Sequence, residues 1–204
     1  MKQKDEIILS LLKKYNKNKE IKVIDIGAGE QFLKNKVPKN MKYTSLDIDP
    51  KNKPDILCDL NKKFPLKSES YDFVFCTEVL EHTLYPKKII KEIKRITKKN
   101  GLIIITLPNE YNFYLRLKFL LGIQNNDAVP FREELWRNHI HRARIQDIIQ
   151  LYKNEFIVKE LIYSWDSFSG KRFYLVIDKI IRTFFLPLSK NLFARSAIMI
   201  GYKK

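Results

Sequence analysis

Cysteine, histidine and glycine are scarce in this chain of 204 residues, which contains two, three and six of them respectively. Cys58 and Cys76 each lie in a short apolar run, and they are too few for a disulfide framework or a paired-cysteine metal site. No stretch reaches the roughly 18 apolar residues that a membrane-spanning helix needs. Lys13 and Lys14 end the first apolar run too early for a signal peptide. We therefore expect two buried free thiols in a cytoplasmic protein.

Acidic residues are also comparatively few, because 23 Asp and Glu stand against 39 Lys and Arg and leave a net charge of +16. Such a charge attracts nucleic acid, acidic substrates or anionic lipid. The lysines are nevertheless spread along the whole chain, as a coding bias toward Lys, Asn and Ile would also produce. A nucleic-acid surface requires the basic residues to cluster, so the charge leaves an RNA partner open without indicating one.

Short apolar runs alternate with helical patterns in the first half of the chain. A helix at 4–15 is followed by predicted strands at 21–26, 43–48, 55–58, 71–77 and 102–107. Isoleucines recur at helical spacing after Pro86, and Asn100-Gly101 is the expected end of that helix. Alternating strands and helices favour a mostly parallel sheet, since right-handed crossovers place the helices on its faces. We therefore predict an α/β fold.

The alternation stops after Leu107, although no linker or repeat marks a second domain. We predict one domain over 1–204, with a ligand-binding half at 20–107, a capping insertion at 108–142 and a helix and strand region at 143–204. The last strand, at 197–202, is expected to be antiparallel. Aromatic residues of the insertion form either a lid over an acceptor or a packed cap: Tyr111, Phe113, Tyr114, Phe119 and Trp136.

An apolar stripe at 173–188 is flanked by lysines and arginines. Such a stripe suits peripheral contact with a membrane, where it could present a lipid-linked acceptor. Packing on the edge of the sheet or against a second copy explains the same pattern. The stripe alone does not decide between these interpretations.

The motif VIDIGAGE at residues 23–30 joins a buried strand to a glycine-rich turn. Gly27 and Gly29 let the backbone turn tightly and approach a ligand. Asp47 follows Gly27 by 20 residues at the end of the second strand, where a carboxylate can accept hydrogen bonds from two ribose hydroxyls. Because the carboxyl ends of adjacent parallel strands meet at one edge of the sheet, these residues predict a ligand that contains a nucleoside.

Two common nucleotide fingerprints are missing from this loop and from the rest of the chain. Phe32 stands where a dinucleotide-binding loop needs its third glycine, which disfavours NAD. No GxxxxGK[ST] sequence is present, so a phosphate-cradling loop of that type is excluded.

The order of the motifs resembles the class I S-adenosylmethionine-dependent methyltransferases, in particular the type 11/12 branch that carries EVLEH after the fourth strand. The motifs are VIDIGAGE (23–30), LDIDP (46–50), CDL (58–60), YDFVFCTEVLEH (71–82) and GLIIITLPN (101–109). The resemblance covers about residues 20–165. It implies a Rossmann-like fold with a mostly parallel seven-stranded sheet. It also implies methyl transfer from S-adenosylmethionine to an O or N nucleophile, which leaves S-adenosylhomocysteine.

The same resemblance implies a set of cofactor contacts at the ends of the first four strands. They are Asp25, Gly27, Ala28, Gly29, Asp47, Ile48, Asp59, Leu60, Cys76 and Thr77. Asp25, Gly27 and Gly29 would line the methionine half, Asp47 would hold the ribose hydroxyls, and Ile48 would pack on the adenine. Asp59 and Leu60 would reach the adenine amino group. Cys76 and Thr77 would face the sulfonium. Glu30 departs from the family pattern, in which a third glycine is common at this position.

The resemblance implies that catalysis is mostly alignment of the donor with the nucleophile, together with removal of a proton where one is needed. Glu78, Glu81 and His82 are the candidate bases. Glu78 and Glu81 are three residues apart and are expected to share one face of a helix, with His82 beside the second.

A divalent metal ion is an alternative role for the same residues. Glu78, Glu81 and His82, joined by His139 or His141 from NHIHRA, offer oxygen and nitrogen ligands. This set is similar to the EVxEH motif and later histidines of small-RNA 3′-terminal ribose methyltransferases, in which case the positive charge would serve RNA phosphates. The resemblance to other relatives with the motif implies purely structural roles instead, in which His82 caps the helix and His139 or His141 holds a loop.

The acceptor stays open at this point. A small molecule, a lipid-linked glycan and a quinone-like molecule fit the aromatic insertion, and RNA fits the charge. Two other classes of protein also remain: a non-catalytic protein that binds the cofactor, and a nucleotide-dependent oxidoreductase or epimerase on a related sheet.

Overall fold

The computed structural model describes residues 3–14, 20–123, 138–165 and 178–204. Its strands form one seven-stranded sheet in the order β3-β2-β1-β4-β5-β7-β6. The strands are β1 (Ile21–Ile26), β2 (Met41–Asp47), β3 (Ile56–Leu57), β4 (Tyr71–Thr77), β5 (Thr97–Pro108), β6 (Phe156–Ser164) and β7 (Ser196–Lys203). Strands β1 to β5 pair in parallel, whereas β7 is antiparallel to β5 and β6. The prediction of a mostly parallel sheet with an antiparallel last strand is confirmed.

The longer helices of the described residues are α1 (Gln3–Lys14), α2 (Pro86–Ile96), α3 (Phe113–Leu120) and α4 (Ile145–Glu155). Shorter helical turns lie at Pro50–Asn52, Leu80–His82, Ile181–Phe185, Leu186–Leu188 and Lys190–Phe193. Within the described ranges, no helix is both long and apolar enough to cross a membrane. Tyr15, Trp136 and residues 173–177, which the sequence analysis used, lie outside the described residues.

Helices cover both faces of the sheet because alternate strand residues point to opposite sides. Ile89 and Ile93 of α2 pack with Tyr152 of α4 against one face, in a cluster that includes alternate residues of β1, β4 and β5. Ile8 and Leu12 of α1 pack against the other face. Burial of each such side chain stabilises the fold by roughly 1.5–3 kcal/mol, so the helical spacing read in the sequence is sufficient to fix these helices on the sheet.

Helix α2 ends earlier than expected. It begins at Pro86 as predicted and ends at Ile96, not at Asn100-Gly101. Thr97 is fully buried, its hydroxyl donates to the Ile93 carbonyl at 2.6 Å, and its backbone pairs with Tyr71 of β4. This hydrogen bond occupies a carbonyl of the last turn, and β5 therefore starts at Thr97, with Asn100 at φ +62° as a local bend.

The crossover from β1 to β2 consists of turns, not of a regular helix. Gly29 and Gln31 have φ of +49° and +54°, values that an α-helix excludes. Backbone hydrogen bonds from Gln31 to Ala28 and from Lys34 to Gln31 span three residues each. The departure at Glu30 from the family pattern therefore lies in a segment whose backbone follows a path of tight turns.

Candidate functional site

A cleft of about 390 Å³ opens at the carboxyl edge of β1, β2, β3 and β4. The residues that the sequence analysis singled out and that line it are Gly27, Gly29, Asp47, Ile48, Asp59, Leu60, Glu78 and His82. Six further residues, which the motifs did not predict as ligand contacts, also line the cleft: Glu30, Asp49, Asn52, Asn61, Val79 and Thr83. Most of these are next to a predicted residue in the chain, whereas Asn52 carries no signal in the sequence.

The glycine loop is built by close approach to two neighbouring strands. The Gly27 amide donates to the Leu46 carbonyl at 2.7 Å, and Gly27 has φ +67°. A Cβ atom at Gly27 would lie 2.4 Å from Val79 Cγ2, whereas one at Gly29 would meet nothing within 4 Å. Gly27 is therefore required by packing, and the open side of Gly29 leaves room for a ligand.

Asp47 connects the glycine loop to the turn after β2. One carboxylate oxygen accepts the Gly29 amide at 2.7 Å, and the other accepts the Asp49 amide at 2.8 Å. The side chain is buried yet lines the cleft. Because each carboxylate oxygen has two lone pairs, both can still accept a hydroxyl from a ligand in the cleft.

Asp25 lies beneath this loop and is not among the residues that line the cleft. It accepts the Tyr43 hydroxyl at 2.9 Å. Burial raises the pKa of Asp25 to about 7, the Tyr43 hydrogen bond opposes that rise, and the nearby Asp47 charge adds to it. Asp25 therefore changes its charge near neutral pH inside the protein.

The turn after β3 forms a further wall of the cleft. Asp59 accepts the Asn61 backbone amide at 2.9 Å, and the Asn61 side chain accepts the Leu84 amide at 2.8 Å. These bonds hold Leu60 between two cleft-lining polar residues. The arrangement offers an apolar contact and hydrogen-bonding groups side by side, as a nucleobase requires.

Cys76 and Thr77 end β4 but are not among the lining residues. Cys76 is fully buried in the core, and desolvation raises the pKa of its thiol well above the usual value. It is therefore a neutral thiol, as a buried structural cysteine should be. Ala28 likewise stands outside the lining, and its amide donates to Leu46 at 3.2 Å.

Glu78 is held at the cleft by β5. Its amide donates to the Thr106 carbonyl and to Thr106 Oγ1, at 3.2 and 3.1 Å, and the Thr106 hydroxyl donates to Glu78 Oε1 at 2.8 Å. Glu78 has φ +55°, which is uncommon for a residue with a side chain and costs of order 1–3 kcal/mol. This conformation turns the chain sharply after β4.

The expectation that Glu78 and Glu81 share a helical face is wrong. Glu78 precedes a single helical turn, Leu80–His82, and its positive φ directs the two carboxylates to different places. Glu78 and His82 line the cleft, whereas Glu81 is 1% exposed and borders a separate cavity of about 650 Å³ between α2 and α4.

Glu81 is grouped instead with two histidines. Glu81, His82 and His139 each bring one possible ligand atom within 4.8 Å of the others. The rings of His82 and His139 meet edge to face, with their centroids 4.7 Å apart. Glu78 and His141 are not part of this group, and His141 is exposed.

A second, more apolar cavity of about 850 Å³ lies beside α3. Tyr111 and Phe119, two of the predicted lid residues, line it together with Leu115. Arg116 and Lys118 add positive charge to the same walls. The cavity therefore combines an apolar floor with groups that attract an anion.

Comparisons with known proteins agree on the fold. A family described as a methyltransferase domain matches residues 2–161. An uncharacterised protein of Methanocaldococcus jannaschii, MJ0638, is 34% identical over an alignment of 116 positions, which covers 52% of this chain and 51% of that protein. This chain thus spans about half the length of that relative.

Two solved structures have similar folds at low identity. A methyltransferase in complex with the Haloferax volcanii Trm112 methyltransferase activator has a TM-score of 0.64 at 14% identity, over 95% of this chain and 87% of that chain. A SAM-dependent methyltransferase from Archaeoglobus fulgidus has a TM-score of 0.59 at 16% identity, over 97% and 94% of the two chains. At such identities the likeness establishes the fold.

Proposed function

This chain belongs to the class I S-adenosylmethionine-dependent methyltransferases, and from that premise we propose that its cleft holds the cofactor for methyl transfer to an O or N nucleophile. The product of the cofactor is S-adenosylhomocysteine. One observation supports this assignment of the cleft above all others. The segments that follow β1, β2, β3 and β4 all contribute residues to a single cavity, which is the ligand-binding edge of an open α/β sheet.

Each part of the cofactor has a complementary wall. Asp47 accepts the two ribose hydroxyls through the lone pairs that its loop contacts leave available. Ile48 packs on the adenine, and Asp59 with Leu60 lies along the adenine edge. Gly29 lets the methionine portion approach the backbone. The cleft of about 390 Å³ falls within the range of small-molecule sites.

The chemistry then depends on alignment. The sulfonium methyl is electrophilic, so the acceptor attacks it in line, the new C–O or C–N bond forms, and the C–S bond breaks with its electron pair on sulfur. The acceptor proton passes to Glu78, which lines the cleft and is fixed by Thr106. Positioning of this kind can supply several kcal/mol of the rate enhancement.

The acceptor that fits best is amphipathic and anionic. The cavity beside α3 borders Glu110, whose carboxylate contacts His139, and His139 contacts the cleft-lining His82. A lipid-linked glycan carries both an apolar body for this cavity and phosphate for its basic walls; a quinone-like molecule fits the apolar part alone. Exposed apolar residues at 180–188 support peripheral contact with a membrane that would supply such an acceptor. RNA remains the alternative acceptor.

Calorimetric titration with S-adenosylmethionine and S-adenosylhomocysteine tests the cofactor. Asp47→Ala removes charge-assisted contacts and should weaken binding by about 1.5–3 kcal/mol, or roughly ten- to a hundredfold. Asp147→Asn, a change at an exposed side chain away from the cleft, is the control and should bind as the wild type does. Thermal melting confirms that each variant is folded.

The outcomes separate the remaining classes. Micromolar binding that the Asp47 change weakens supports the proposal, after which small-molecule, lipid-linked and RNA acceptors are screened for methyl transfer. Binding without turnover on any acceptor favours a non-catalytic protein. No heat with either ligand from folded protein, but heat with a nicotinamide or sugar nucleotide, contradicts the proposal and favours an oxidoreductase or epimerase.

A further inference from the structure

Two histidines and a buried glutamate meet where residues 138–141 cross the turn after β4. The amides of Ile140 and His141 donate to the Glu81 carbonyl at 2.8 and 3.1 Å. These bonds fix the crossing segment over the turn Leu80–His82 and bring His139 next to His82. Of the three residues His82 lines the cleft, whereas Glu81 borders the separate cavity between α2 and α4, so the cluster lies between these two cavities.

The hydrogen bonds around each ring determine which nitrogen faces the cluster. His82 Nδ1 lies 2.9 Å from the Asn138 carbonyl oxygen, which can only accept, so Nδ1 carries the hydrogen. His139 Nδ1 lies 2.6 Å from Glu110 Oε1 and donates to that carboxylate. In the neutral form of both rings, Nε2 therefore carries the lone pair with which the ring can bind a metal ion.

We propose that Glu81, His82 and His139 bind a divalent transition-metal ion through one carboxylate oxygen and two imidazole Nε2 atoms. Two histidines and a carboxylate form the ligand set of catalytic zinc sites and of sites for iron and related ions. Magnesium and calcium prefer ligand sets made of oxygen, so this cluster selects zinc, manganese, cobalt or iron.

The surroundings of the ligands support the site. A metal-binding histidine usually donates its other N–H to a carboxylate or a backbone carbonyl, which fixes the ring and raises its basicity. His139 has the carboxylate of Glu110 in that position, and His82 has the Asn138 carbonyl. The side chains of His139 and Glu110 are only 12% and 5% exposed, so the pair is shielded from water.

The possible ligand atoms must move slightly closer together before they can bind one ion. His82 Nε2 lies 3.9 Å from Glu81 Oε1, and each of the three residues brings one possible ligand atom within 4.8 Å of the others. Ligands held at about 2.0–2.2 Å from one tetrahedral ion lie roughly 3.3 Å apart. Side-chain movements of about 1 Å bring the three atoms to this separation.

Three protein ligands would leave the ion room for a further ligand beside His82, the member of the cluster that lines the cleft. The ion would lower the pKa of an acceptor hydroxyl held there, and Glu78, which lines the same cleft as His82, would receive the proton when the methyl group is transferred. This role in acceptor binding rests on the proposed function. The site itself rests only on the cluster.

Titration of chelator-treated protein with Co²⁺, followed by visible d–d absorption, tests the site without cofactor or acceptor. We expect one Co²⁺ per chain, displaced by Zn²⁺, and loss of the signal in His139→Gln and in Glu81→Gln. The chain has three histidines, and His141→Gln is the matched control because His141 stands outside the cluster. Glu110→Gln should lower the affinity about ten- to a hundredfold.

Absence of Co²⁺ absorption in folded wild type overturns the site, as does binding that His139→Gln leaves unchanged or that His141→Gln abolishes. The cluster then serves only to hold residues 138–141. If Glu81→Gln does not fold, loss or retention of Co²⁺ binding in His139→Gln decides whether the site exists, because His139 is partly exposed and its replacement should be tolerated by the fold. Calorimetry with S-adenosylmethionine on the same samples is read separately, so cofactor binding without Co²⁺ binding contradicts this proposal alone, and the reverse contradicts only the proposed function.

Discussion

Thr106 and Glu78 interlock across the ends of two adjacent strands through the threonine hydroxyl. Thr106 Oγ1 accepts the Glu78 amide at 3.1 Å and donates its hydrogen to Glu78 Oε1 at 2.8 Å. Thr106 is fully buried, so these bonds form in a region of low dielectric, where they are strong. One side chain thus fixes both the backbone and the carboxylate of the residue proposed to accept the proton.

Thr106→Val should reduce methyl transfer by at least about tenfold, because it keeps the shape of the side chain but removes both hydrogen bonds. The unfolding free energy should fall by about 1–3 kcal/mol, since the Glu78 carboxylate loses its buried donor. The turnover number and the KM for the acceptor found in the screen are the quantities to measure.

Thr106→Ser retains the hydroxyl and serves as the control. A positioning role for Thr106 predicts that Ser restores the turnover number while Val lowers it with little change in KM. Equal losses in both variants would contradict the positioning role, because the hydroxyl that Ser retains would then not be sufficient for activity.

Gly27 and Gly29 should respond differently to the same substitution. Gly27→Ala should destabilise the protein by about 2–4 kcal/mol, since a Cβ meets Val79 Cγ2 at 2.4 Å and a left-handed φ adds strain. Gly29→Ala meets no atom within 4 Å, so its cost should be only the strain of about 1 kcal/mol. Denaturant unfolding measures both.

Cofactor binding provides the second half of this comparison. Gly29→Ala should weaken S-adenosylmethionine binding at least about tenfold, because its methyl group occupies space that the ligand needs. The double variant Gly27→Ala/Val79→Ala removes the steric conflict and should recover part of the stability that Gly27→Ala loses. Unchanged binding in Gly29→Ala would place the ligand elsewhere in the cleft.

Much of the sheet could be predicted from local patterns. Strands β1 and β4 begin and end where their apolar runs do, at Ile21–Ile26 and Tyr71–Thr77, because both are central and buried strands read as continuous apolar segments. Helix α2 shows its buried face as regularly spaced isoleucines. Its end was predicted wrongly, since the hydroxyl of Thr97 and pairing with Tyr71 override the Asn100-Gly101 signal.

The candidate site was only partly predictable for a related reason. The residues at strand ends meet because parallel strands bring their ends together, which the order of motifs already indicates. The separation of Glu78 from Glu81 depends on a positive φ at Glu78. The sequence does not predict this conformation, because the position holds neither the glycine nor the asparagine that usually adopts it. The contact of His139 with His82 depends on hydrogen bonds from residues 140 and 141 to Glu81, a long-range packing result that spacing does not encode.

The buried Asp25 makes stability depend on pH. Its pKa is raised to about 7, so the folded state holds the proton over a range in which the unfolded chain has lost it. The contribution of Asp25 to the free energy of unfolding therefore decreases as the pH rises from about 4 to about 7, because the folded state keeps the Asp25 proton that the unfolded chain has released. Above that range this decrease is complete, and Asp25 adds no further pH dependence. The full effect is at most about 4 kcal/mol.

Asp25→Asn should remove this dependence, because the amide is neutral at every pH and can still accept the Tyr43 hydroxyl. We expect the variant to gain stability over the wild type as the pH rises from 5 to 8, measured by denaturant unfolding at each pH. Tyr43→Phe removes a bond that lowers the pKa of Asp25 and should extend the window to higher pH. A constant difference between Asp25→Asn and wild type across this range would contradict the burial of an ionisable carboxyl.

Apolar side chains of the segment before β7 are exposed beside basic ones. Phe184 and Leu188 are 65% and 78% exposed, with Arg182 and Lys190 in the same segment. Ring contacts continue this surface to α3, because Phe193 lies 5.2 Å from Phe185 and 6.2 Å from Phe113, measured between ring centroids. The combination is suited to the interface of an anionic membrane.

Replacing two of these side chains should therefore weaken membrane binding without affecting the fold. Phe184→Ser/Leu188→Ser is expected to lower co-sedimentation with anionic phospholipid vesicles by at least about tenfold, since each side chain gains roughly 1.5–3 kcal/mol when fully buried. Leu57→Ser alters an equally exposed leucine on edge strand β3, 61% exposed, and should bind as the wild type does. Binding should also weaken as the salt concentration is raised, because dissolved ions screen the attraction between the basic residues and the anionic lipids. Two outcomes would contradict membrane binding by this surface: no binding of the wild type to anionic vesicles, or a loss in Leu57→Ser as large as that in the double variant. The apolar surface would then make another contact, and the acceptor would reach the cleft from solution.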